Sequence, residues 1–390
     1  MSISPHRQGR RVRAHRRGFT MKESIAVIVI IIVVLAIAFP SITMFRERAR
    51  RLECESHLSK IGKAIDQFTT VDSAHMLPTG SKFDSATRSS GTSWWVDILP
   101  YAEVQKSTHR WVPHTDSGDF SLARAPNSNM KFADGYHLPL FYCASSPLPQ
   151  YNDPERHIAE INRKQIEGRA PRGIPVPMYA AVAGSAPDML DYTATNGFDR
   201  SFGRNTNEGP WGILSASGMF PPNKRMRQSA ALDQKDKTIL LVEQSDYARD
   251  DTLEPASLYD VRNSWPKGAF MGATGDYGDI SPAAQNLNGD GSQRCWNITS
   301  VRYPINTRDI KGKKGIFTDP AAPSPEAGET NLPPYPDEGY GPGHNNPIIS
   351  SHPGGANVLM MDGNVQFLNE KMDLGILLQM STRDDKHNIE

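Results

Sequence analysis

A histidine and an aspartate near the end of the chain have a spacing that suits acid–base chemistry or metal binding. Nine residues separate His352 from Asp362, and Gly363 follows the aspartate. An imidazole carries protons near neutral pH and binds metals, and a carboxylate can orient it. A histidine at the start of a strand and an aspartate in a turn explain the same residues without chemistry, and we favour this structural interpretation.

Oxygen-bearing side chains in a second segment have the spacing of a calcium loop. Asn286, Asn288 and Asp290 alternate with other residues, and Gly291 stands at the turn, as in such loops. The twelfth position is Asn297 rather than Glu, and only one of the three ligand candidates is anionic. The segment is a weak calcium candidate, and an ordinary Asn/Gly turn is the preferred interpretation. We therefore expect no metal and no cofactor.

Motifs of familiar catalytic machinery are absent from the sequence. It contains no Gly-x-Ser-x-Gly, no His-Glu-x-x-His and no phosphate-binding Gly-Lys-Ser/Thr loop. The other histidines show no ligand spacing. The sequence therefore predicts a protein that is not an enzyme and has no catalytic residues.

An apolar segment near the N-terminus precedes all of these residues. From Ser24 to Pro40 there are 17 positions without a charge, about enough for a helix to cross a bilayer. The first 18 residues carry six arginines and no acid, which indicates that they stay on the cytoplasmic side. We predict a single span in the cytoplasmic (inner) membrane, with everything after Pro40 outside. A cleaved secretory signal peptide is the alternative.

Glu23 lies at the entrance of this segment, where a carboxylate is unfavourable unless it is paired. Cleavage between Gly18 and Phe19 creates a new α-amino group four residues before Glu23. The amino terminus of a neighbouring copy can then pair with this carboxylate. Such a pair would set the register of subunits in a filament.

These residues resemble the start of type IV pilins and pseudopilins, with a basic leader, Gly18, and then Phe19 as first and Glu23 as fifth residue of the mature chain. The resemblance implies cleavage after Gly18 by the prepilin peptidase, N-methylation of Phe19 and a register role for Glu23. The implied partners are the bilayer, like or related pilin-type subunits, and secretion or pilus assembly machinery. Lys22 and Ser24 replace the apolar residues usual in this region, so Lys22 is a competing partner for Glu23.

The sequence after Pro40 keeps helical character and few helix breakers. Apolar residues recur at steps of three and four along it: Cys54, Leu58, Ile61, Ile65 and Phe68. Such a stripe is typical of a helix that lies on a sheet. We predict one helix over 19–70, half in the membrane and half packed on a globular head. A break at Pro40 into two helices is the alternative.

Beyond residue 70 the sequence predicts an α+β head over 71–390. Candidate strands are Ser93–Tyr101, Pro175–Gly184 and Lys237–Gln244. The segment at about 311–347 is rich in proline and glycine, and we predict a loop-rich insertion on the surface. The predicted fold class is α+β and type IV pilin-like, with a long N-terminal helix, transmembrane in its first half, packed on an antiparallel-sheet head.

A hairpin is predicted at the end of the chain. Ala356–Met361 and Asn364–Leu368 are apolar runs joined by Asp362-Gly363. This dipeptide is typical of a type I′ turn, in which both central residues have positive φ.

The C-terminal pattern is similar to that of a bacterial family of prepilin-type proteins, a domain of unknown function with a His-x9-Asp-Gly signature, here His352, Asp362 and Gly363. The similarity extends to "CESHLSKIGKAIDQF", which contains Cys54, and to "FYCASSP", which contains Cys143. These family-like positions imply a Cys54–Cys143 disulfide in an oxidising compartment, with Cys295 outside the bridge. Two reduced, buried cysteines are the alternative. The family implies a fold and a location, and it names no activity.

The charge balance limits the class of partner. Without its first 18 residues the chain has 37 basic and 43 acidic residues, which argues against nucleic acid. We expect a pilin-like or pseudopilin-like structural subunit of a pilus, a pseudopilus of the type II secretion kind or another cell-surface assembly. The alternative is a membrane-anchored extracytoplasmic binding protein that uses the pilin-type export signal without forming filaments. Its ligand would contact exposed tryptophans, for which the candidates are Trp94, Trp95, Trp211 and Trp296, although buried tryptophans are the more common case in a head of this size.

Overall fold

A computed structural model shows how these segments fold. It describes residues 20–84, 89–102, 132–152, 173–186, 211–232, 234–250, 257–264, 268–274, 294–316 and 343–384. The chain divides into two compact units, Met1–Ala49 and Arg50–Glu390. The described residues form a mixed α and β fold in which most strand pairs are antiparallel.

Helix α1, Met21–Val71, begins with a reciprocal cap. The backbone N–H and the hydroxyl of Thr20 both donate to Glu23 Oε2 at 2.8 Å, and Glu23 N donates to Thr20 Oγ1 at 3.4 Å. Such a capping box satisfies N–H groups that the first helical turn leaves without intrahelical partners. Glu23 therefore has a partner within its own chain.

The first part of α1 carries large apolar side chains on all of its faces. Every residue at 27–35 is Val, Ile or Leu, and each of these side chains is 42–61% exposed. Among the residues that the structure describes, no helix combines the length and the apolar character that crossing a membrane requires.

The last part of α1 belongs to the second unit and buries the predicted stripe. Leu58, Ile61 and Ile65 are almost fully buried. Gly62 lies on the same side, where an added Cβ would stand 3.0 Å from Leu359 Cδ1. The helix and the sheet therefore approach each other closely at a residue without a side chain.

A five-stranded sheet forms the centre of the second unit, in the order β11, β10, β4, β3, β9. Its strands are β3 (Tyr179–Ser185), β4 (Ile239–Glu243), β9 (Ile298–Val301), β10 (Gly355–Met360) and β11 (Val365–Asn369). The pair β3 and β9 is parallel, and the other pairs are antiparallel. The predicted strands at 175–184 and 237–244 correspond to β3 and β4.

Both faces of this sheet are buried at β3, β4, β9 and β10, whereas the edge strand β11 is mostly half-buried. Ala181, Leu241 and Leu359 belong to the same core as the α1 stripe. Their neighbours along the strands, such as Val242 and Val358, pack with the last helix α3, Leu374–Met380, on the opposite face. Because side chains alternate between faces along a strand and both faces are covered at β4, this strand reads as the apolar run Ile-Leu-Leu-Val before Glu243.

The C-terminal hairpin forms as predicted, but its turn differs. β10 and β11 pair with Leu359 opposite Val365. Gly363 N donates to Met360 O at 3.0 Å, and Gly363 alone of the two turn residues has positive φ, at 87°. The predicted type I′ turn is wrong because that turn requires positive φ at both central residues, and Asp362 does not have it.

A strand predicted over Ser93–Tyr101 is wrong, because Trp94–Ala102 forms helix α2. Trp94 and Trp95 are both fully buried, and their ring centroids lie 4.0 Å apart. Successive side chains of a strand point to opposite faces, whereas successive helical residues are only about 100° apart and can enter one core together.

Shorter elements complete the described part of the chain. Three two-stranded sheets are formed by β1 (Ser81–Asp84) with β2 (Ser89–Ser93), β5 (Ala248–Asp250) with β6 (Ser257–Tyr259), and β7 (Ala273–Thr274) with β8 (Arg294–Cys295). Two 3₁₀ helices lie at Pro139–Phe141 and Gln228–Ala230.

The predicted surface insertion at 311–347 is wrong at its C-terminal end. Residues 343–347 are buried, and the amide of Asn345 donates to Ile213 O at 2.9 Å and to Ser300 O at 3.1 Å. A buried loop is stable here because its backbone N–H groups also find partners: His344 N donates to Trp211 O at 2.7 Å, and Asn345 N donates to Gly315 O at 2.9 Å. Residues 317–342 of the predicted insertion lie outside the described residues.

Candidate functional site

Four side chains that can bind metals or carry protons meet between α1 and the sheet. Cys54 lies in α1, Cys143 follows the Pro139–Phe141 helix, Glu243 ends β4, and His352 precedes β10. Each offers one thiol, carboxylate or imidazole atom, and these atoms all lie within 4.8 Å of one another. None of the four residues is more than 4% exposed.

His352 stands between a thiol and the carboxylate. Its Nε2 lies 3.4 Å from Cys143 Sγ and 3.6 Å from Glu243 Oε1. Glu243 faces α1 because it shares the strand face of Leu241, two residues before it, and pairs with Tyr179 of β3. The sheet therefore presents a carboxylate to the helix at the level of Cys54.

Surrounding groups hold the Glu243 carboxylate and the backbone of His352 in place. Ser245 Oγ donates to Glu243 Oε1 at 2.6 Å, and Asn357 N donates to Oε2 at 3.2 Å. The backbone N–H of His352 donates to Ser350 Oγ at 3.1 Å. Such secondary contacts hold a reactive or metal-binding side chain in one rotamer.

The two thiols differ in their electrostatic environment. A hydrogen bond from the Cys143 thiol, together with the nearby His352, lowers the pKa of Cys54. The same hydrogen bond to Cys54, burial and the charge of Glu243 raise the pKa of Cys143. The cluster therefore favours a thiolate at Cys54 and a thiol at Cys143.

Burial dominates the other ionisable groups of the cluster. It raises the pKa of Glu243, although the nearby His352 opposes that shift. Burial next to Cys54, Glu243 and Cys143 also raises the pKa of Tyr179 well above its usual value. An anion in this cluster is costly unless a positive charge or hydrogen bonds balance it.

This arrangement can hold a cation, or an external oxidant can convert its two thiols to a disulfide, and its burial does not suit a nucleophile that meets a substrate. Two sulfurs, one imidazole nitrogen and one carboxylate oxygen match the ligand types of zinc. All three cysteines lie within the described residues, and none is bridged. The predicted Cys54–Cys143 disulfide thus stays a prediction, although the structure brings the two residues into one cluster.

The remaining residues of the predicted sites have other positions. Asp362 and Gly363 form the turn at the far end of β10 from His352, and Asp362 accepts hydrogen bonds from Asn364 N and Nδ2 at 2.9 and 2.6 Å. The structure thus does not bring His352 and Asp362 together in one site. Gly18 and Phe19 lie outside the described residues, and so does the whole calcium candidate, Asn286, Asn288 and Asp290.

Sequence reasoning missed Glu243 as a member of the site. The signal available was a carboxylate at the end of "ILLV", a run that otherwise reads as a fully buried strand. A buried carboxylate is rare unless it is paired, so Glu243 pointed to an unidentified partner.

An exposed aromatic binding patch is absent at the four tryptophans considered for it. Trp94, Trp95, Trp211 and Trp296 are all buried, the most exposed being Trp211 at 9%. None of the four can therefore form the exposed patch that the binding-protein alternative needs, because their rings pack inside the second unit.

Comparison with protein families matches residues 43–375 to the family described as "Protein of unknown function (DUF1559)". The match covers the last part of α1, the whole sheet and all four residues of the buried cluster. No curated protein and no solved structure matches the chain significantly.

Proposed function

The chain belongs to the DUF1559 family of proteins of unknown function, and we propose that within it the protein is a type IV pilin-like structural subunit. In this proposal the subunit contributes to a pilus, a pseudopilus or another cell-surface assembly, and it is not an enzyme. The observation that carries the proposal is the exposed apolar surface of α1 at residues 27–35. Such a surface calls for a partner, since soluble proteins rarely expose large contiguous apolar patches.

Lateral packing of α1 helices from neighbouring subunits is the partner we propose. Val, Ile and Leu cover all faces of the helix at 27–35, so several neighbours can pack around it. The last part of α1 is fixed to the sheet by its buried stripe. A subunit built in this way carries its head on a helix whose first part is available for assembly.

Glu23 has two roles in this proposal. It completes the capping box with Thr20 within the chain. After cleavage between Gly18 and Phe19, its second oxygen can accept from the amino terminus of a neighbour, which sets the register. A carboxylate accepts several hydrogen bonds, so the two roles are compatible.

The location we propose follows from the sequence. The arginine-rich leader stays in the cytoplasm, the prepilin peptidase removes it, and the head lies outside the cytoplasmic membrane. The helix is held in the bilayer before it enters the assembly. A membrane-anchored binding protein that never assembles is the second candidate.

Substitutions at the first helical turn separate the two roles of Glu23. Glu23→Gln keeps a side chain that can close the capping box but removes the charge. Thr20→Ala removes the cap, at a cost of about 0.5–2 kcal/mol, but keeps the charge. In the native host we expect all variants to be processed, Thr20→Ala to remain in the sheared surface fraction, and Glu23→Gln and Glu23→Ala to be lost from it.

Two results would contradict this proposal. If Glu23→Gln and Glu23→Ala reach the sheared fraction like the wild type, the charge has no role in assembly and the anchored binding protein takes its place. If only the two variants that weaken the cap are lost, Thr20→Ala and Glu23→Ala, the carboxylate acts as a helix cap alone.

The amino terminus of the protein from its native membrane tests the export route. We expect intact mass and terminal peptide sequencing to show a chain that starts at methylated Phe19. A chain that still carries residues before Gly18 would mean that the protein does not pass through the pilin pathway.

A further inference from the structure

We propose that Cys54, Cys143, Glu243 and His352 form a structural zinc site that fixes the last part of α1 to the sheet. The site would hold one Zn²⁺ with two sulfurs, one nitrogen and one oxygen. This proposal is independent of filament assembly, because all four residues belong to the second unit.

The distances within the cluster match the edges of a zinc tetrahedron. Zinc lies about 2.0–2.3 Å from its nitrogen, oxygen and sulfur ligands, so neighbouring ligand atoms are about 3.3–3.8 Å apart. His352 Nε2 lies 3.4 Å from Cys143 Sγ and 3.6 Å from Glu243 Oε1. All four ligand atoms lie within 4.8 Å of one another, so small side-chain adjustments complete the tetrahedron.

The number and burial of the donors indicate a structural site. Catalytic zinc usually has three protein ligands and an open position for water or substrate, whereas structural zinc has four. Here four donors converge, and each of their residues is at most 4% exposed. A substrate therefore has neither a free coordination position nor access from solvent.

The charge of the cluster also favours a divalent cation. Among the described residues, His352 is the one basic side chain within 4.0 Å of the buried Glu243 carboxylate. Two thiolates, a carboxylate and a neutral imidazole carry three negative charges, and Zn²⁺ balances two of them. Zinc is then the largest local charge and stabilises the deprotonated thiols.

Binding involves proton release and no redox step. Zinc forms bonds to two thiolate sulfurs, and any proton held by the two thiols, the imidazole or the carboxylate passes to solvent. The secondary contacts suit this geometry, because Ser245 and Asn357 hold the carboxylate and Ser350 holds the backbone of His352. The His352 Nε2 atom already faces the other donors.

Metal analysis of the full-length protein purified with reductant tests the proposal. We expect about one zinc per chain in the wild type, as a closed four-ligand site requires. Cys143→Ser and His352→Ala should lose most of this zinc. Cys295→Ser is the matched control and should retain it, because Cys295 is equally buried but is not part of the cluster.

Cobalt substitution of the wild-type protein gives a result that does not depend on how well the variants fold. After removal of zinc with a chelator, added Co²⁺ should produce the visible absorption of a tetrahedral ion and a thiolate-to-cobalt band in the near ultraviolet. One equivalent of Zn²⁺ should abolish both and should protect two thiols from alkylation. The chelator should also lower the thermal midpoint, and zinc should restore it.

Clear results would overturn the proposal. A wild-type protein with no zinc and no tetrahedral cobalt spectrum has no such site. A Cys54–Cys143 disulfide in protein isolated from its native compartment without reductant would show that oxidation, rather than a metal, joins the helix to the sheet. Zinc retained by both Cys143→Ser and His352→Ala would place the metal elsewhere.

Discussion

At the scale of single residues, the buried cluster consists of side chains whose position in the sequence gives little sign of their proximity. Cys54 belongs to an apolar helical stripe, and Cys143 lies in a short loop segment. His352 was identified through its spacing to Asp362, but its actual neighbours are Cys143 and Glu243. The C-terminal pattern thus combines a buried site residue with an exposed turn, and these have separate roles.

Ser245→Ala tests how much the hydrogen bond from Ser245 to the buried Glu243 carboxylate contributes to the stability of the fold. The serine hydroxyl donates to Glu243 Oε1 at 2.6 Å and accepts from Ser351 N at 3.0 Å. Because the substitution leaves a buried carboxylate with one donor fewer, we expect a loss of about 1.5–3 kcal/mol in the free energy of unfolding. Urea denaturation of the wild type and the variant measures this difference in the free energy of unfolding.

Ser73→Ala, at an exposed position, is the control for this substitution. Its effect should stay within about 0.5 kcal/mol. Equal stability of Ser245→Ala and the control would mean that the hydroxyl does not stabilise the Glu243 carboxylate.

At the scale of elements, local apolar patterns in the sequence predicted the α1 stripe, β3, β4 and the final hairpin. The α1 stripe was identified by its helical period, whereas β3, β4 and the final hairpin were identified as short apolar runs, with Asp362-Gly363 marking the turn of the hairpin. α2 was missed because a short aromatic run fits the period of a helix and that of a strand. The burial of Trp94 and Trp95 also depends on residues distant in sequence, such as Asn297, whose carbonyl accepts a hydrogen bond from Trp94 Nε1.

The site was only half predictable for the same reason. The resemblance grouped Cys54 with Cys143 and drew attention to His352, whereas Glu243 needed knowledge of which strand faces α1. Strand order is set by long-range pairing, such as β4 between β3 and β10, and local sequence does not encode it.

Gly62→Val tests the close approach of α1 to the sheet. A Cβ at this position would meet Leu359 Cδ1 at 3.0 Å and Cδ2 at 3.3 Å, so valine forces the helix away from β10. We expect the free energy of unfolding to fall by about 1–3 kcal/mol, as for other overpacked cores. Lys63→Val, on the exposed side of the same turn, controls for helix propensity and should have a small effect. A stability of Gly62→Val equal to that of Lys63→Val would show that the contact tolerates a side chain.

At the scale of the whole molecule, one arginine joins the end of α1 to a distant part of the head. Arg225 Nη1 donates to Asp72 Oδ1 at 2.9 Å, Nη2 donates to Met76 O at 2.7 Å, and Nε donates to Leu77 O at 3.0 Å. The Asp72 carboxylate also accepts from Met76 N and Ala74 N. These contacts fix where the chain leaves the helix and enters the head.

The acid sensitivity of the protein should reflect this contact. The hydrogen bond from Arg225, followed by that from Met76 N, holds the pKa of Asp72 below its ordinary value of 3.8. Because the folded-state pKa is depressed, the contact stabilises the fold above pH 3.8, and this contribution is lost as the pH falls through the lower folded-state value. The urea midpoints of the wild type and Asp72→Asn should therefore differ near neutral pH and converge in acid. A difference that stays constant with pH would mean that the charge of Asp72 does not contribute.

The spread of the cluster along the chain has a consequence for biosynthesis. Cys143 and His352 are 209 residues apart, and Cys54 is made earlier still. At a translation rate of about 5–20 residues per second, Cys54 exists for about 15–60 s before His352 is made. During that interval Cys54 and, once it is made, Cys143 lack His352 as a neighbour. The four-residue cluster therefore cannot form until the ribosome has made His352.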